Sequence, residues 1–551
     1  MKTLSLDSKY VPWLLGFSFL VAFTWTAPFR DLYGIEARNA LMAKEMLQKG
    51  IGFVPTVMGR PYPDYPPLYF WLVVIFFKLA GGVSTLAAVL PSALSAAVLI
   101  VVTFVMGSCR SARTAMISAL VLGTFPEFWF KASKATIDMM LALEITLALF
   151  FLWSAHNSNK GRMEKFKVAL GVGLATLGAL FTKGPVGVVL IGAVWACYLL
   201  VSGNFKGLAR FSLLYGLAVV CCAGIYLLVV WHEGGVELVK NVINSQVLGR
   251  VGGKPNKSFL YYEKYILEAT APWWFWAFAS ILAWKNSRKA KEKEVVIAKR
   301  QGNHSLLTLA VVWCLVVLFI FSVASSRHGR YLLPAFPAFA IITFFFVEKV
   351  LDSGQFGKVA RGLERIIAAF FLVIMAGVWI SYFAVDLPGK VGILWLAIWF
   401  VGLTLFWFEK EKLIPIPSRI FVRQMVLMVA VLSSISLLVY PVISQRESGK
   451  SFVKKVEARV TSQTPVVLFK IKRDGDGVKY ALYSKRSPSS LKFISSIDGL
   501  AFFNKPCLLV TYQKDVQELL KSHKWKMVPI AQGLIHHKPV VAYLLEEASI
   551  S

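Results

Sequence analysis

Apolar residues gather in long runs along most of this chain, with short polar stretches between them. Runs of about 20 mostly apolar residues, the length of a helical membrane crossing, fall near 11–29, 85–107, 113–130, 136–155, 165–182, 185–203, 209–231, 266–284, 305–325, 331–349, 364–385, 390–408 and 420–442. The pattern predicts an α-helical polytopic membrane protein with about 13 transmembrane helices. The stretch 67–81 is apolar but only about 15 residues long, and it reads as a juxtamembrane or re-entrant helix. After 442 the pattern changes. Short β-rich runs at Val466–Lys470, Lys479–Ser484, Cys507–Tyr512 and Val540–Leu545 alternate with polar stretches and a helical pattern near 513–523. This predicts a small α/β domain. The expected division is a membrane domain over 1–442, with a long first loop at 30–84, and an α/β domain over 443–551.

Composition supports a membrane protein. Of 551 residues 57% are hydrophobic and only 16% charged, against about a quarter charged in soluble domains. That argues against a soluble enzyme, a disordered chain or a free-standing nucleic-acid-binding protein. The net charge of +30 then has a topological cause, since basic residues collect in cytoplasmic loops. With the N-terminus inside, the loops 108–112, 156–164, 204–208, 285–304, 350–363 and 409–419 are all basic with their flanks; examples are Arg110, Arg162, Lys206, Arg288, Lys358 and Lys412. Counting 67–81 as a full span inverts every later loop and breaks that order. The loops 30–84, 232–265 and 326–330 and the C-terminal tail therefore face the other side, which in a bacterium is the periplasm. No small-residue cleavage site follows the first apolar run, which reads as a retained span of an inner-membrane protein. The six cysteines are scattered, without a disulfide framework or metal-ligand spacing.

Chemistry-bearing residues collect on that outer side. The first loop predicts a helix over Gly34–Gly50, with Glu36 and Arg38 at its start, where the helix dipole favours a carboxylate. Its second half holds Asp64 among four prolines and the flat faces of Tyr62, Tyr65, Tyr69 and Trp71. A rigidly held acid beside aromatic rings suits a general base or a group that orients a sugar hydroxyl; an interfacial aromatic belt is the plainer alternative. Asp138 opens a span after Lys131 and Lys134, and Glu144 lies deeper in it. Ionisable groups at membrane depth are functional candidates. Lys183, Arg250, Arg327 and Arg330 are cations on the side where the loop rule expects few, and an anionic ligand such as a phosphate accounts for them. Surface snorkelling is the alternative for each alone. His232-Glu233 and His536-His537 have no further His or Cys at ligand spacing. No metal ligands are assigned, and a divalent metal stays open.

These residues resemble a known family. Glu36-Ala-Arg-Asn-Ala-Leu-Met-Ala-Lys-Glu-Met-Leu, then Val54-Pro-Thr, then Tyr62-Pro-Asp-Tyr-Pro-Pro-Leu-Tyr-Phe-Trp look like the bacterial polyprenyl-phosphate-sugar glycosyltransferases related to protein O-mannosyltransferases, and among them the lipid A aminoarabinose transferases. Asp138, Thr182-Lys-Gly184 and Arg330-Tyr-Leu-Leu-Pro334 match further motifs in the same order, over roughly 10–345. The resemblance implies the GT-C membrane fold, a sugar donor on undecaprenyl phosphate, and a periplasm-facing acceptor such as lipid A. It implies catalytic roles for Asp64 and Glu36, and donor-phosphate contacts from Lys183, Arg250 and Tyr331, with Arg330 beside them. Two positions depart from the family pattern: Ile35 stands where an acid pairs with the second acid of the first loop, and Tyr65 stands where the aminoarabinose transferases carry lysine. Another glycan or a protein as acceptor, and a lipid or sugar transporter, are the alternatives. A transporter commonly shows paired repeats, and none is visible here.

Overall fold

The computed structural model describes residues 9–157, 161–248, 257–276 except 259, 303–352, isolated positions between 362 and 380, and 416–547 except 462, 505 and 521–524. The expected span 390–408, most of 364–385, part of 266–284, and Arg250 lie outside the described residues.

The chain forms two compact units. A helical unit holds Met1–Trp25 and Ser92–Leu438, and a loop-and-sheet unit holds Thr26–Pro91 and Val439–Ser551. The first loop thus groups with the C-terminal residues, which differs from the sequence division at 442.

Among the described residues eight helices are long and apolar enough to cross a membrane. These include the stretch Val11–Phe29, which contains α1 (Val11–Thr24), then α4 (Thr85–Ser108), α7 (Asp138–His156), α8 (Arg162–Lys183), α10 (Phe205–Ile243) and Asn303–Val323. Two expected spans are shorter than read. The run 113–130 breaks into α5 (Ala112–Gly123) and α6 (Pro126–Ala132), because proline starts a helix readily but cannot continue one. The run 185–203 becomes α9 (Pro185–Val201), which begins at another proline. α7 packs on α8 and α9, Asn303–Val323 packs on α9, and Phe336–Asp352 packs on α5. Glycine allows the tightest approaches. Cα of Gly123 lies so close to the Phe19 ring that a Cβ would stand 2.4 Å from it. Phe23 meets Trp129 edge-on at 5.3 Å, tying α1 to α6.

In the loop-and-sheet unit, α2 (Ile35–Lys49) follows the predicted helix closely. A two-stranded hairpin follows, β1 (Thr56–Val57) and β2 (Arg60–Pro61). Its turn residues Met58 and Gly59 both have positive φ, as a two-residue hairpin loop requires. Then comes α3 (Leu68–Leu79), whose 12 residues span only about 18 Å. It is too short to cross, as its length in sequence suggested.

The C-terminal half of this unit is a five-stranded sheet in the order β4-β3-β5-β7-β6. The strands are β3 (Val466–Phe469), β4 (Lys492–Ile494), β5 (Cys507–Tyr512), β6 (Trp525–Ile535) and β7 (Lys538–Glu547). β3 is parallel to β4 and β5, while β7 is antiparallel to β5 and β6. Every residue of β3 and β5 is buried, as expected of strands covered on both faces. The run Lys479–Ser484, read as a strand, is instead the helix Val478–Tyr483. Its residues are buried nearly all round, so alternation carried no information there. Lys44 of α2 fixes the helical form: its ammonium donates to the carbonyls of Ala481, Leu482 and Ser484 at 2.8, 3.1 and 2.6 Å. A cation on the free carbonyls of a helix C-terminus is favourable.

Candidate active site

In the helical unit, four of the proposed residues come together. Asp138 is the first residue of α7 and is 2% exposed. Lys183 ends α8 and brings Nζ to 2.5 Å from Asp138 Oδ1. Arg330 Nε stands 3.7 Å from Asp138 Oδ2. Tyr331 puts its ring under both cations, 4.6 Å from Lys183 Nζ and 5.7 Å from Arg330 Cζ. Cations over an aromatic face gain electrostatic stabilisation.

Local sequence explains this placement. Thr-Lys-Gly-Pro turns the chain from α8 to α9 at Gly184, whose φ is +74°. Glycine adopts that conformation without penalty. The turn also presses on Gln246, where a Cβ would lie 2.4 Å from Oε1. Arg330 and Tyr331 sit in a 3-10 turn, Gly329–Ala335. There a Cβ on Gly329 would overlap the Tyr265 ring at 1.9 Å.

Two cations thus face one carboxylate, and the excess positive charge is felt nearby. Burial, then Arg330, Lys257 and Lys183, hold the His328 imidazolium below its ordinary pKa, with Asp138 opposing. Arg327 donates to the Lys257 carbonyl at 2.6 Å. Glu144 meets no cation among the described residues; the Thr182 hydroxyl donates to its Oε1 at 2.7 Å.

In the loop-and-sheet unit the two proposed acids part company. Glu36 is buried and accepts two hydrogen bonds from Arg30, Nη1 to Oε2 at 2.9 Å and Nη2 to Oε1 at 2.8 Å. The side chains are 0% and 2% exposed, so both oxygens are held by a paired fork. Asp64 is half-buried in the proline-rich turn. The Tyr62 hydroxyl hydrogen-bonds to it, and burial, with Asp64 adding and Arg38 opposing, pushes that hydroxyl up to about 12. Tyr62 therefore stays a neutral donor through the physiological range. Arg38 Nη1 donates to the Tyr62 oxygen at 3.0 Å, and the Tyr65 ring lies 5.9 Å from that of Tyr62. Arg38, Tyr62 and Asp64 form one polar chain beside a pair of rings.

Sequence reasoning passed over the residues that hold this loop. Glu45 is buried; one oxygen takes the Met58 N–H at 2.6 Å and the other takes the Gly59 N–H at 3.0 Å and the Thr56 hydroxyl at 2.5 Å. It fixes the hairpin just before Asp64. Arg30 was passed over as well, because nothing in its spacing from Glu36 marks a partner. Among the described residues no three His, Cys, Asp or Glu side chains gather as a metal-ligand set. Asp138 and Glu36 each have their oxygens engaged by cations.

Residues 64–231 match the family model of dolichyl-phosphate-mannose-protein mannosyltransferase. An undecaprenyl phosphate-alpha-4-amino-4-deoxy-L-arabinose arabinosyl transferase of Pseudomonas fluorescens is 26% identical over 61% of this chain and 58% of its own length. One from Erwinia tasmaniensis is 25% identical over 67% of this chain and 66% of its own. An uncharacterized protein of Aquifex aeolicus is 28% identical over 57% and 59%. The match therefore spans about three-fifths of the length of the first of these relatives. The crystal structure of ArnT from Cupriavidus metallidurans bound to undecaprenyl phosphate superposes with a TM-score of 0.73 at 18% identity, covering 97% of this chain and 98% of that one. Its apo form gives 0.72. The chain has the fold of the ArnT structures. The family match begins at Asp64 and runs through Asp138 and Lys183; Glu36, Arg38, Arg330 and Tyr331 lie outside it, and their placement here comes from the geometry alone.

Proposed function

We propose that this protein transfers a sugar from an undecaprenyl-phosphate donor to an acceptor at the periplasmic face of the bacterial inner membrane, and that the reaction is of the kind that adds 4-amino-4-deoxy-L-arabinose to lipid A. The observation that carries this reading is the cluster of Asp138, Lys183, Arg330 and Tyr331, where two cations share one carboxylate. Two cations held on one aromatic face suit a phosphate. The names of the relatives supply the sugar and its carrier.

In the proposed reaction an acceptor oxygen attacks the anomeric carbon. A new C–O bond forms, the bond from that carbon to the phosphate oxygen breaks, and undecaprenyl phosphate leaves with the electron pair. Lys183 and Arg330 bind the phosphate and stabilise the charge that grows on it; preset donors of this kind act without reorganising. Tyr331 holds both cations in place. Asp64 takes the proton when the acceptor is a hydroxyl, or orients the acceptor when it is already an anion. Tyr62 and Tyr65 offer faces for the sugar, and Arg38 keeps the Tyr62 hydroxyl directed. Glu36, whose charge Arg30 neutralises, keeps the loop in shape. Arg250, implied by resemblance as a further phosphate contact, lies outside the described residues and is given no role.

Mass spectrometry of lipid A and of bulk envelope glycans tests this. The strains compared lack the gene, regain it, or carry Asp64→Asn. A pentose-sized addition to lipid A that requires the gene and falls about 10²–10⁴-fold in rate with Asp64→Asn is expected. Unchanged lipid A with a sugar missing elsewhere moves the acceptor. No change in any glycan, with the protein present in the membrane, defeats the proposal.

A further inference from the structure

The C-terminal sheet carries a polar concavity that uses none of the residues above. A cavity of about 550 Å³ opens where β3 and β5 end. These strands are parallel neighbours, and their exits diverge. The chain leaving β3 crosses to β4 on one side, whereas the chain leaving β5 goes on to β6 and β7 on the other. A crevice beyond the carboxyl ends of parallel strands, where the connections part, is the usual ligand position in open α/β sheets.

The lining has a clear sign. Lys470 and Lys472 follow β3, Lys514 follows β5, and Lys538 opens β7. Against these four stand Asp476 and Asp515. Asp476 is occupied: its Oδ2 takes the Tyr512 hydroxyl at 2.6 Å and Lys538 at 3.2 Å, and its Oδ1 takes Lys479 at 3.4 Å. It serves to fix Tyr512 and Lys538 in the wall. Lys470 is paired with Glu518. Lys472 and Lys514 are exposed and make no ion pair among the described residues. Lys538 and Lys514 also stand 5.2 and 6.0 Å from the centre of the Tyr512 ring, which adds a flat apolar face.

The rim is held at a conformational cost. His536 and His537 form the two-residue turn between β6 and β7 with φ of 54° and 58°. Two successive non-glycine residues there are unfavourable, and such strain persists where the surroundings enforce it. Here His536 Nδ1 reaches Asp476 Oδ1 at 3.2 Å and His537 Nε2 reaches Glu447 Oε1 at 2.7 Å. The turn places Lys538 at the cleft.

We infer that this cleft binds a phosphate monoester carried on a sugar-sized or headgroup-sized body, with Lys472 and Lys514 as its principal contacts and the Tyr512 ring against the body. Lysine is a compact charge suited to phosphate, and the volume accepts more than the phosphate alone. The loop that supplies Lys472 also holds the first loop from its other end. Arg473 donates to the Met58 carbonyl at 2.9 Å, and Arg38 donates to the Asp474 carbonyl at 3.3 Å. An occupant of the cleft would steady that segment.

The test is calorimetric titration of the full chain in phosphatidylcholine nanodiscs. One probe is glucose 1-phosphate and the other is dihexanoyl phosphatidic acid below its micelle concentration, with glucose as the uncharged control. Saturable binding of either phosphate probe is expected, and which one binds tells a free sugar phosphate from a lipid headgroup. K472Q/K514Q should weaken it at least about tenfold, K472R/K514R should restore it, and Arg330→Gln should leave it unchanged, which separates this cleft from the proposed donor site. Binding of neither probe, or equal binding in K472Q/K514Q, overturns the inference. If the double variant is not produced, K514Q alone is read in the same way.

Discussion

Two buried ionic groups in this protein differ in one respect, the balance of charge. In the loop-and-sheet unit, Arg30 and Glu36 close on each other through two hydrogen bonds of 2.9 and 2.8 Å, and the charges cancel. In the helical unit, Asp138 is shared between two cations, Lys183 and Arg330. The first pairs one cation with one anion; the second sets two cations on one carboxylate, the arrangement on which the proposed phosphate site rests. A carboxylate on this loop is thus weighed together with its partners, and the paired fork from Arg30 is the ground on which we propose a structural rather than a reacting role for Glu36.

The largest effect should come from breaking the closed pair. Glu36→Gln leaves Arg30 buried without its counter-charge, which costs about 3–5 kcal/mol. Thermal unfolding of the purified protein should show that loss, while the folded fraction keeps turnover within a few-fold. Replacing both partners, Arg30→Met with Glu36→Leu, should regain most of the stability. A Glu36→Gln protein that melts normally but does not turn over would put Glu36 back among the reacting groups.

The open cluster should answer the other way. Arg330→Gln removes one of the two cations but leaves Asp138 its contact with Lys183, so folding should change little. The transfer rate should fall about 10²–10³-fold, the range for losing one preset donor to a developing charge. A normal rate with a lowered melting temperature would make Arg330 a structural partner of Asp138 and nothing more.

How far this contrast could be read in sequence depends on the range of the contacts. Membrane helices were legible because each is specified by its own run of apolar residues. So was the shortness of 67–81, which α3 reproduces. Pro126 was also visible in the run 113–130, and its effect as a helix start was underweighted. The strands Val466–Phe469 and Cys507–Tyr512 appeared where their buried β-branched and aliphatic residues stand. Trp525–Ile535 was missed because Pro529 and Gly533 interrupt its pattern. It is an edge strand with a register shift at Pro529, one of the few places where a strand tolerates proline. At the site, Asp138, Lys183, Arg330 and Tyr331 were each singled out for being charged or polar where the surroundings were not. The pairing that tells Glu36 from Asp64 was not legible, since it rests on side-chain directions that no periodicity records.

Lys44 makes the same point and gives a smaller prediction. It reaches the helix Val478–Tyr483 from 437 residues away in the chain. Burial lowers its pKa to about 8, with Glu457 and Glu45 opposing, so the ammonium is already costly to bury and is kept by three carbonyls. Lys44→Met should leave those carbonyls unsatisfied and lower stability by about 1–3 kcal/mol. Hydrogen exchange should quicken in 478–484 before it does in the strands. Equal protection throughout would deny Lys44 that role.

Asp476 offers the smallest effect and the sharpest sign. Burial works against its charge, but the Tyr512 hydroxyl, Lys479 and Lys538 outweigh burial and hold the carboxyl below its usual range. A carboxylate whose pKa is lower folded than unfolded binds fewer protons in the folded state. It therefore stabilises the protein fully above the unfolded value of about 3.9. That contribution disappears as pH falls through the folded value. The expected profile is a melting temperature that is flat with respect to this group near neutrality and declines only in the acid range. Asp476→Asn should lower the melting temperature at neutral pH by an amount worth about 1–2 kcal/mol, and the gap to the parent should narrow as pH falls towards and below 4. A gap that stays constant down to pH 3 would mean that the carboxylate's charge is not what binds Tyr512 and Lys538. Asp476 would then belong with the closed pair, as a group valued for its shape, and the cleft beside it would owe its positive field to the lysines alone.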